Sequence, residues 1–238
     1  MAIELSIVIP TYNEKGNIRP LLDKIDAALS GIAWEAIFVD DDSPDGTAEA
    51  VRQVSLNDTR VRCLQRIGRR GLSSACIEGM LSSSADYLAV MDADLQHDST
   101  LLPKMLEALK TGEFDLTVGS RYVEGGGVGQ WSSQRSKMSV FATWLTRLLI
   151  KVDLKDPMSG YFMLKRAFFH RVARQLSGRG FKILMDIYTS SPQEIRIKEF
   201  PFQFGQRLSG KSKLNPTVPF EFVIMILTKL PGRFSKTP

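Results

Sequence analysis

Apolar residues along this chain gather in short runs that alternate between two periodicities. Leu5–Pro10 is a continuous apolar run and reads as a strand. From Asn17 to Leu29 the spacing becomes helical, with Ile18, Leu21, Leu22, Ile25 and Leu29 on one face. Ala36–Val39 is a second strand, followed by Asp40-Asp41-Asp42 and then the turn residues Ser43-Pro44-Asp45-Gly46-Thr47. A helix follows to about Val54. Val61–Gln65 is a short strand, Gly71 to Leu81 is helical, and Tyr87–Met91 is the central strand. Leu101–Leu109 is a helix and Leu116–Val118 a strand. Strands alternating with helices predict an α/β fold, with a mostly parallel sheet and ligands at the strand carboxyl ends.

The second half has a different texture. Gly125-Gly126-Gly127 and Gly129 form a loop. Met138, Phe141, Ala142, Leu145, Leu148 and Leu149 then recur at helical spacing, with Trp144 at the border and Arg135, Lys137, Arg147 and Lys151 flanking or opposing the stripe. Phe220–Leu227 is apolar apart from Glu221, with Lys229, Arg233 and Lys236 behind it. A bilayer span takes roughly 20 apolar residues, and neither stretch is that long or that clean. Such a stripe is on base rates more often packed core. Trp144 and the flanking cations favour interfacial amphipathic helices on a membrane surface.

Composition fits one domain of 238 residues, with 43% apolar and 24% charged positions. Its two functional halves divide near Val118. Residues 1–118 hold 11 Lys/Arg against 19 Asp/Glu, and residues 119–238 hold 20 against 7. An acidic half suited to a cation is thus joined to a basic half suited to anions. The first ten residues lack a basic region and run straight into a strand, so no secretion signal is expected. Cys63 and Cys76 have no metal-type spacing and fit a cytoplasmic, reducing compartment as small buried hydrophobes. His97 and His170 are expected to be structural.

The sharpest chemical signal is Tyr87-Leu-Ala-Val-Met-Asp92-Ala93-Asp94-Leu95-Gln96-His97. An apolar strand ends in two carboxylates one residue apart. On an extended backbone Asp92, Asp94 and Gln96 share a face. Hard oxygen ligands suit Mg²⁺ or Mn²⁺ rather than zinc, and such a metal most often serves a phosphate or pyrophosphate substrate.

Eight blocks occur in order: Pro10-Thr11-Tyr12-Asn13-Glu14, Val39-Asp40-Asp41-Asp42-Ser43, Asp92-Ala93-Asp94-Leu95-Gln96-His97, Gly119-Ser120-Arg121-Tyr122, Trp131-x-x-x-Arg135-x-x-x-Ser139, Asp156-Pro157-Met158-Ser159-Gly160-Tyr161, Gly180-Phe181-Lys182-Ile183 and Arg207-x-x-Gly210-Lys211-Ser212-Lys213-Leu214. Together they resemble the family 2 glycosyltransferases of GT-A fold, in the dolichyl-phosphate (polyprenyl-phosphate) mannosyltransferase branch. The resemblance covers nearly the whole chain. It implies a Rossmann-like, mostly parallel sheet flanked by helices, and transfer of a sugar, mannose from GDP-mannose, to a polyprenyl phosphate with inversion.

Carried over residue by residue, the resemblance gives Pro10, Tyr12 and Glu14 the nucleotide base and ribose, helped by Val39 and Asp41. It gives Asp92, Asp94 and Gln96 the metal and donor pyrophosphate, with Ala93 beside them on the donor. Arg121, Arg135 and Ser139 would grip the acceptor phosphate, and Arg207 and Lys213 would close over the donor diphosphate. Asp94, Arg121 and Arg135 are the candidate catalytic residues. Two departures stand out: Gly71-Leu72-Ser73-Ser74-Ala75 replaces the family's Gly-Leu-Gly-x-Ala, and Asp98-Ser99 rather than prolines follow His97.

The chemistry is consistent without the family name. A phosphate monoester acceptor, with a second pKa of about 6, is already a nucleophile near neutral pH and needs no strong base. It needs cations that bring one anion towards another, and the basic half supplies them. The resemblance implies an acceptor with a lipid tail, which would bring the enzyme to the inner face of a membrane, alone or beside a small membrane subunit. Three other readings stay open. The donor could be UDP-glucose. Asp42 and Asp45 superficially resemble an aspartate-nucleophile phosphohydrolase, although their spacing is three rather than two. A silent nucleotide-sugar-binding module is the third. Nucleic acid is not an expected partner, because the basic half has no groove-entering or stacking motif.

Overall fold

The computed structural model describes residues 2–129 and 154–205. Seven strands form one sheet: β1 (Leu5–Thr11), β2 (Trp34–Asp40), β3 (Val61–Gln65), β4 (Tyr87–Val90), β5 (Leu116–Ser120), β6 (Phe162–Lys165) and β7 (Ile197–Pro201). The order across the sheet is β3-β2-β1-β4-β6-β5-β7. The β1–β2, β2–β3, β1–β4 and β5–β7 pairs are parallel. β6 runs antiparallel to both of its neighbours. This is the mostly parallel α/β sheet expected from the alternation of elements.

Side chains alternate through the strands and so supply two cores. Leu5, Ile7 and Ile9 of β1 with Ala36 and Phe38 of β2 face one layer, built from α1 (Ile18–Ala28), α2 (Thr47–Ser55) and α4 (Leu102–Lys110). Val8, Ile37 and Val39 face the other, where α3 (Leu72–Leu81), α5 (Arg166–Val172) and α6 (Ile183–Ser190) pack. Burial on both faces explains why these strands read as apolar runs rather than alternating ones.

The chain winds outward from β1 in two directions, to β2 and β3 on one side and to β4 on the other. The carboxyl ends of β1 and β4 therefore flank a topological switch point, where a crevice opens in sheets of this kind. Register aligns the exits. Thr11 pairs with Asp40, and Val8 with Val90. The loops holding Pro10–Glu14, Asp40–Asp42 and Asp92–Asp94 consequently share one edge.

Two expectations change. β4 ends at Val90, and the backbone turns through residues 93–95 with Leu95 at φ 65°. Asp92 and Asp94 therefore do not extend the strand with a shared face; the acidic motif is a turn. Additionally β6, α5, α6 and β7 were not read from the sequence. The amphipathic stretches from Met138 to Leu149 and from Phe220 to Leu227 lie outside the described residues.

Helix α3 comes close to the sheet at Gly79. A Cβ added there would sit 2.9 Å from Val39 Cγ2 and collide harder still with Val8 Cγ1. Alanine is the better helix former by about 1 kcal/mol, but overpacking a core costs ~1–3 kcal/mol and both contacts are buried branched side chains. Gly79→Ala is therefore expected to destabilise the fold despite its helix propensity, read as a lower urea midpoint with unchanged slope.

Candidate functional site

The first wall of the crevice is made by the β1 and β2 exits. Asp40 is fully buried and accepts hydrogen bonds from Thr11 Oγ1 (3.2 Å) and the Ser43 amide (2.9 Å), so it shapes the loop rather than facing a ligand. Asn13 adopts φ 57° and its amide donates to Ser43 Oγ at 2.9 Å. Glu14 is pinned by its amide to Thr47 Oγ1 (2.9 Å) and accepts from Asn17 Nδ2 at 2.7 Å. Tyr12 carries the Arg70 guanidinium over its ring at 4.3 Å. Pro10 and Val39 are paired across the two strands. The Val39 side chain is buried in the core, which leaves its backbone as the part able to meet a nucleotide.

Asp41 sits deeper than a solvated acidic turn. Its Oδ2 accepts the Gly71 amide at 2.7 Å, and Oδ1 lies 3.2 Å from Arg66 Nη1. Arg66, only 2% exposed, also donates to the Gly71 carbonyl (3.1 Å) and Ser74 Oγ (2.7 Å). Burial pushes the Asp41 carboxyl up, against the opposing pull of the Gly71 amide and Arg66. Asp42 accepts from Gln65 Nε2 and the Gly68 amide, each at 3.2 Å. Asp45 holds the start of α2 through the Thr47 amide (2.9 Å) and hydroxyl (2.6 Å). Asp42 and Asp45 thus have structural work to do, which removes the motivation for the phosphohydrolase reading.

The second wall is the acidic turn after β4. Asp94 is buried, and its Oδ1 accepts the Gln96 amide at 3.2 Å. His97 Nδ1 accepts the Asp92 amide at 3.1 Å, so the neutral ring carries its proton on Nε2, 3.7 Å from Asp92 Oδ2. The ring stacks on Tyr161 at 4.8 Å, and burial lowers its pKa against the pull of Asp92 and Asp94. Tyr161 is tied in turn to the Asp98 carbonyl at 2.8 Å. Gln96 Nε2 donates to the Gly205 carbonyl (2.8 Å) and the Gly205 amide returns to the Gln96 carbonyl (2.9 Å). The segment following β7 is thereby anchored on the acidic turn.

Opposite stands Arg121, at the end of β5. Its Nε and Nη2 each meet one carboxylate oxygen of Asp156 at 2.7 Å, and its amide reaches Asp156 Oδ2 at 3.1 Å. Asp156 has no solvent exposure. Its amide and that of Lys155 donate to the two oxygens of Glu199, at 3.0 and 2.7 Å. Three residues on, Ser159 Oγ donates to the Gly119 carbonyl at 2.7 Å. Gly160 follows, and a Cβ there would lie 3.4 Å from Asp92 Oδ2. The segment carrying Asp156 therefore runs against the acidic turn.

Lys182 belongs to the same charge cluster. Burial, reinforced by the like charge of Arg121 and opposed by Asp156 and Asp92, pushes its ammonium down to about 8. The sequence alone gives Asp156, Lys182, Arg66 and His97 no chemical role. Asp156, Lys182 and His97 lie inside the ordered blocks, which is the available signal. Arg66 carries none. Of the expected residues, Pro10, Tyr12, Glu14, Val39, Asp41, Asp92, Ala93, Asp94, Gln96 and Arg121 fall on the crevice-facing ends of their strands or the loops after them. Arg135, Ser139, Arg207 and Lys213 lie outside the described residues.

The residues present fit a divalent cation that also takes ligands from its substrate. Among the described residues no group of three or more His, Cys, Asp or Glu side chains forms a complete cage. Asp92 and Asp94 offer two carboxylates, and Gly160 adds no side chain of its own against Asp92 Oδ2. Two carboxylates completed by phosphate oxygens and water is how Mg²⁺ is commonly held.

A crevice at the sheet's switch point, with a tyrosine-bearing loop on one side and an acidic turn facing a buried arginine on the other, has the architecture of a GT-A glycosyltransferase. Glucosyl-3-phosphoglycerate synthase from Mycobacterium tuberculosis, solved with Mn²⁺, UDP-glucose and phosphoglyceric acid, shares the fold with a TM-score of 0.69, covering 99% of this chain and 81% of that one at 16% identity. The model of glycosyl transferase family 2 matches residues 6–173, and the chain belongs to that family. It is 42% identical over 223 residues to the dolichol-phosphate mannosyltransferase of Pyrococcus furiosus, covering 93% of this chain and 62% of that protein's length. The enzyme of that name from Saccharomyces cerevisiae is 37% identical over 232 residues, covering 94% of this chain and 85% of the relative.

Removing one partner of a buried ion pair leaves the other charge stranded, at a typical cost of ~3–5 kcal/mol. Asp156→Ala and Arg121→Met should each lower the stability by that order in urea titration, because Arg121→Met strands a carboxylate that has no solvent exposure. Lys182 titrates from charged to neutral as pH rises through about 8. If its charge receives an anion, kcat/KM for the nucleotide-sugar should fall across that range, and Lys182→Arg should move the falling limb upwards.

Proposed function

We propose that this chain transfers mannose from GDP-mannose to a dolichyl or other polyprenyl phosphate, at the inner face of a membrane and with Mg²⁺ or Mn²⁺. The observation that carries the reading is the meeting of opposite charges around Gly160: Asp92 and Asp94 on one side, Arg121 with Asp156 and Lys182 on the other. The names of the relatives support the sugar and the acceptor. No helix among the described residues is long and apolar enough to cross a membrane.

In this reading the Tyr12–Glu14 loop and Asp41 seat the nucleotide. A divalent cation at Asp92 and Asp94, with Gln96 Oε1 as a further oxygen, would supply Lewis-acid neutralisation of the charge growing on the leaving diphosphate. Arg121, held in place by Asp156, supplies positive charge to the acceptor phosphate, with Arg135 and Ser139 as partners. That phosphate attacks the anomeric carbon directly and inverts it. Arg207 and Lys213 cover the donor diphosphate. His97 fixes the Asp92 backbone.

Transfer of radiolabelled sugar from a panel of GDP- and UDP-sugars to polyprenyl phosphate in detergent tests this. Metal-dependent label in the lipid phase from GDP-mannose is expected, and Asp94→Ala should reduce it by roughly 10²–10³-fold, as loss of a major electrostatic stabiliser does. Label from UDP-glucose alone would reassign the donor. No lipid label from any donor, with folded protein and metal present, would overturn the reading.

A further inference from the structure

Two loops near the crevice carry apolar residues that the mechanism does not use. Ile67, in the loop after β3, is 76% exposed, and Phe181, in the loop before α6, is 39% exposed. Both loops clasp the first turn of α3. Arg66 donates to the Gly71 carbonyl and Ser74 Oγ, and the Ser73 amide donates to the Gly180 carbonyl at 3.2 Å. The loops are built, not loose. Gly68, Gly178 and Gly180 turn the backbone at φ 67°, 64° and 73°. Fully buried Asp186 accepts the Ser177 amide and hydroxyl, each at 2.7 Å, and the Gly178 amide at 3.3 Å.

Their charge is one-sided. Residues 66–71 read Arg-Ile-Gly-Arg-Arg-Gly and residues 177–182 read Ser-Gly-Arg-Gly-Phe-Lys, with five cations and no acid between them. Arg66 is committed inward, and Arg69 is paired with Glu78 at 2.8 Å. Arg179 is an exposed cation beside the Phe181 tip, and Arg70, exposed beside the Ile67 tip, keeps its guanidinium over the Tyr12 ring. An exposed aliphatic residue and an aromatic one, each next to an arginine, match the chemistry of an anionic lipid surface: apolar tips enter the acyl boundary while guanidinium groups meet headgroup phosphates.

We propose that the Ile67 and Phe181 loops form a membrane-docking surface for anionic bilayers on the rim of the crevice, separate from the amphipathic stretches recognised in the sequence. The proposal rests on the membrane reading above for its context, but its evidence is the exposure and charge of these two loops. Phe181 adjoins Lys182, whose charge couples to Arg121, so docking here would bring headgroup phosphates to the side of the crevice where the cations lie.

The test is co-sedimentation of the full chain with vesicles of phosphatidylcholine with and without phosphatidylglycerol, comparing the wild type with Ile67→Glu/Phe181→Glu and with Arg70→Gln/Arg179→Gln. Circular dichroism confirms folding, and transfer to polyprenyl phosphate in detergent is measured in parallel. The apolar variant is expected to lose about tenfold or more in partitioning, since each removed anchor is a sizeable part of an interfacial contact. The arginine variant should lose only the preference for phosphatidylglycerol. Detergent transfer by the Ile67→Glu/Phe181→Glu protein should stay near that of the wild type. Equal partitioning of wild type and apolar variant overturns the proposal and leaves the patch to a protein partner or to solvent. Vesicle binding that depends on these residues, in a protein that transfers no sugar in detergent, would uphold the docking surface while the proposed reaction fails.

Discussion

The ion pair between Arg121 and Asp156 is the constraint on which the second wall of the crevice depends. Arg121 directly follows β5, Asp156 belongs to the segment leading into β6, and Glu199 of β7 holds the amides of Lys155 and Asp156. One charge-assisted chain thus joins three strand regions at the carboxyl edge. A fully buried carboxylate is costly unless it is paired and hydrogen-bonded, and Asp156 is both. Its bidentate geometry fixes the guanidinium plane as well as its position. The fold accepts an expensive buried pair here and in return holds an arginine rigidly beside an acidic turn.

From this pair the rest of the site follows by short steps. Ser159 caps the Gly119 carbonyl, so Gly160 is delivered against Asp92. Tyr161 then stacks on His97, and His97 takes the Asp92 amide. The acidic turn is therefore supported from below by a ring and from the side by a backbone without a side chain. The Gln96–Gly205 hydrogen bonds extend the same support to the segment after β7. The other wall is organised by a second buried arginine: Arg66 binds Asp41 and the start of α3 together. Each wall thus uses a buried arginine to hold a carboxylate-bearing loop.

The core of this arrangement was legible in the sequence where periodicity was strong. β1, α1, β3 and α3 appear within a residue or two of their expected limits, because each carries a long apolar face or is bounded by turn residues. β6 escaped notice because Phe162–Lys165 is four residues long, and neither its length nor its composition reveals an antiparallel partner. The acidic motif was found, but its shape was not. Alternation along a strand predicts a shared face for Asp92 and Asp94, whereas Leu95 enters the left-handed region and the chain turns. Arg66 was invisible for a simpler reason. A single arginine among several in a basic stretch looks like surface, and only the fold shows it to be buried.

The two carboxylate loops and the two buried arginines address one electrostatic problem. Under the proposed function a diphosphate and a phosphate must approach within bonding distance of one sugar. At 4 Å two unit charges repel by about 4 kcal/mol even at the effective dielectric of a protein surface. Cations must therefore flank the meeting point, and they must not collapse onto the nearest carboxylates before substrates arrive. Asp156 answers that second requirement: it engages Nε and Nη2 of Arg121 and so fixes the guanidinium in position and plane. Lys182 is the complementary case, an ammonium with a depressed pKa whose charge becomes more favourable when an anion binds. Under the proposed function, a rigid arginine for positioning and a responsive lysine for compensation would be different solutions to the same repulsion.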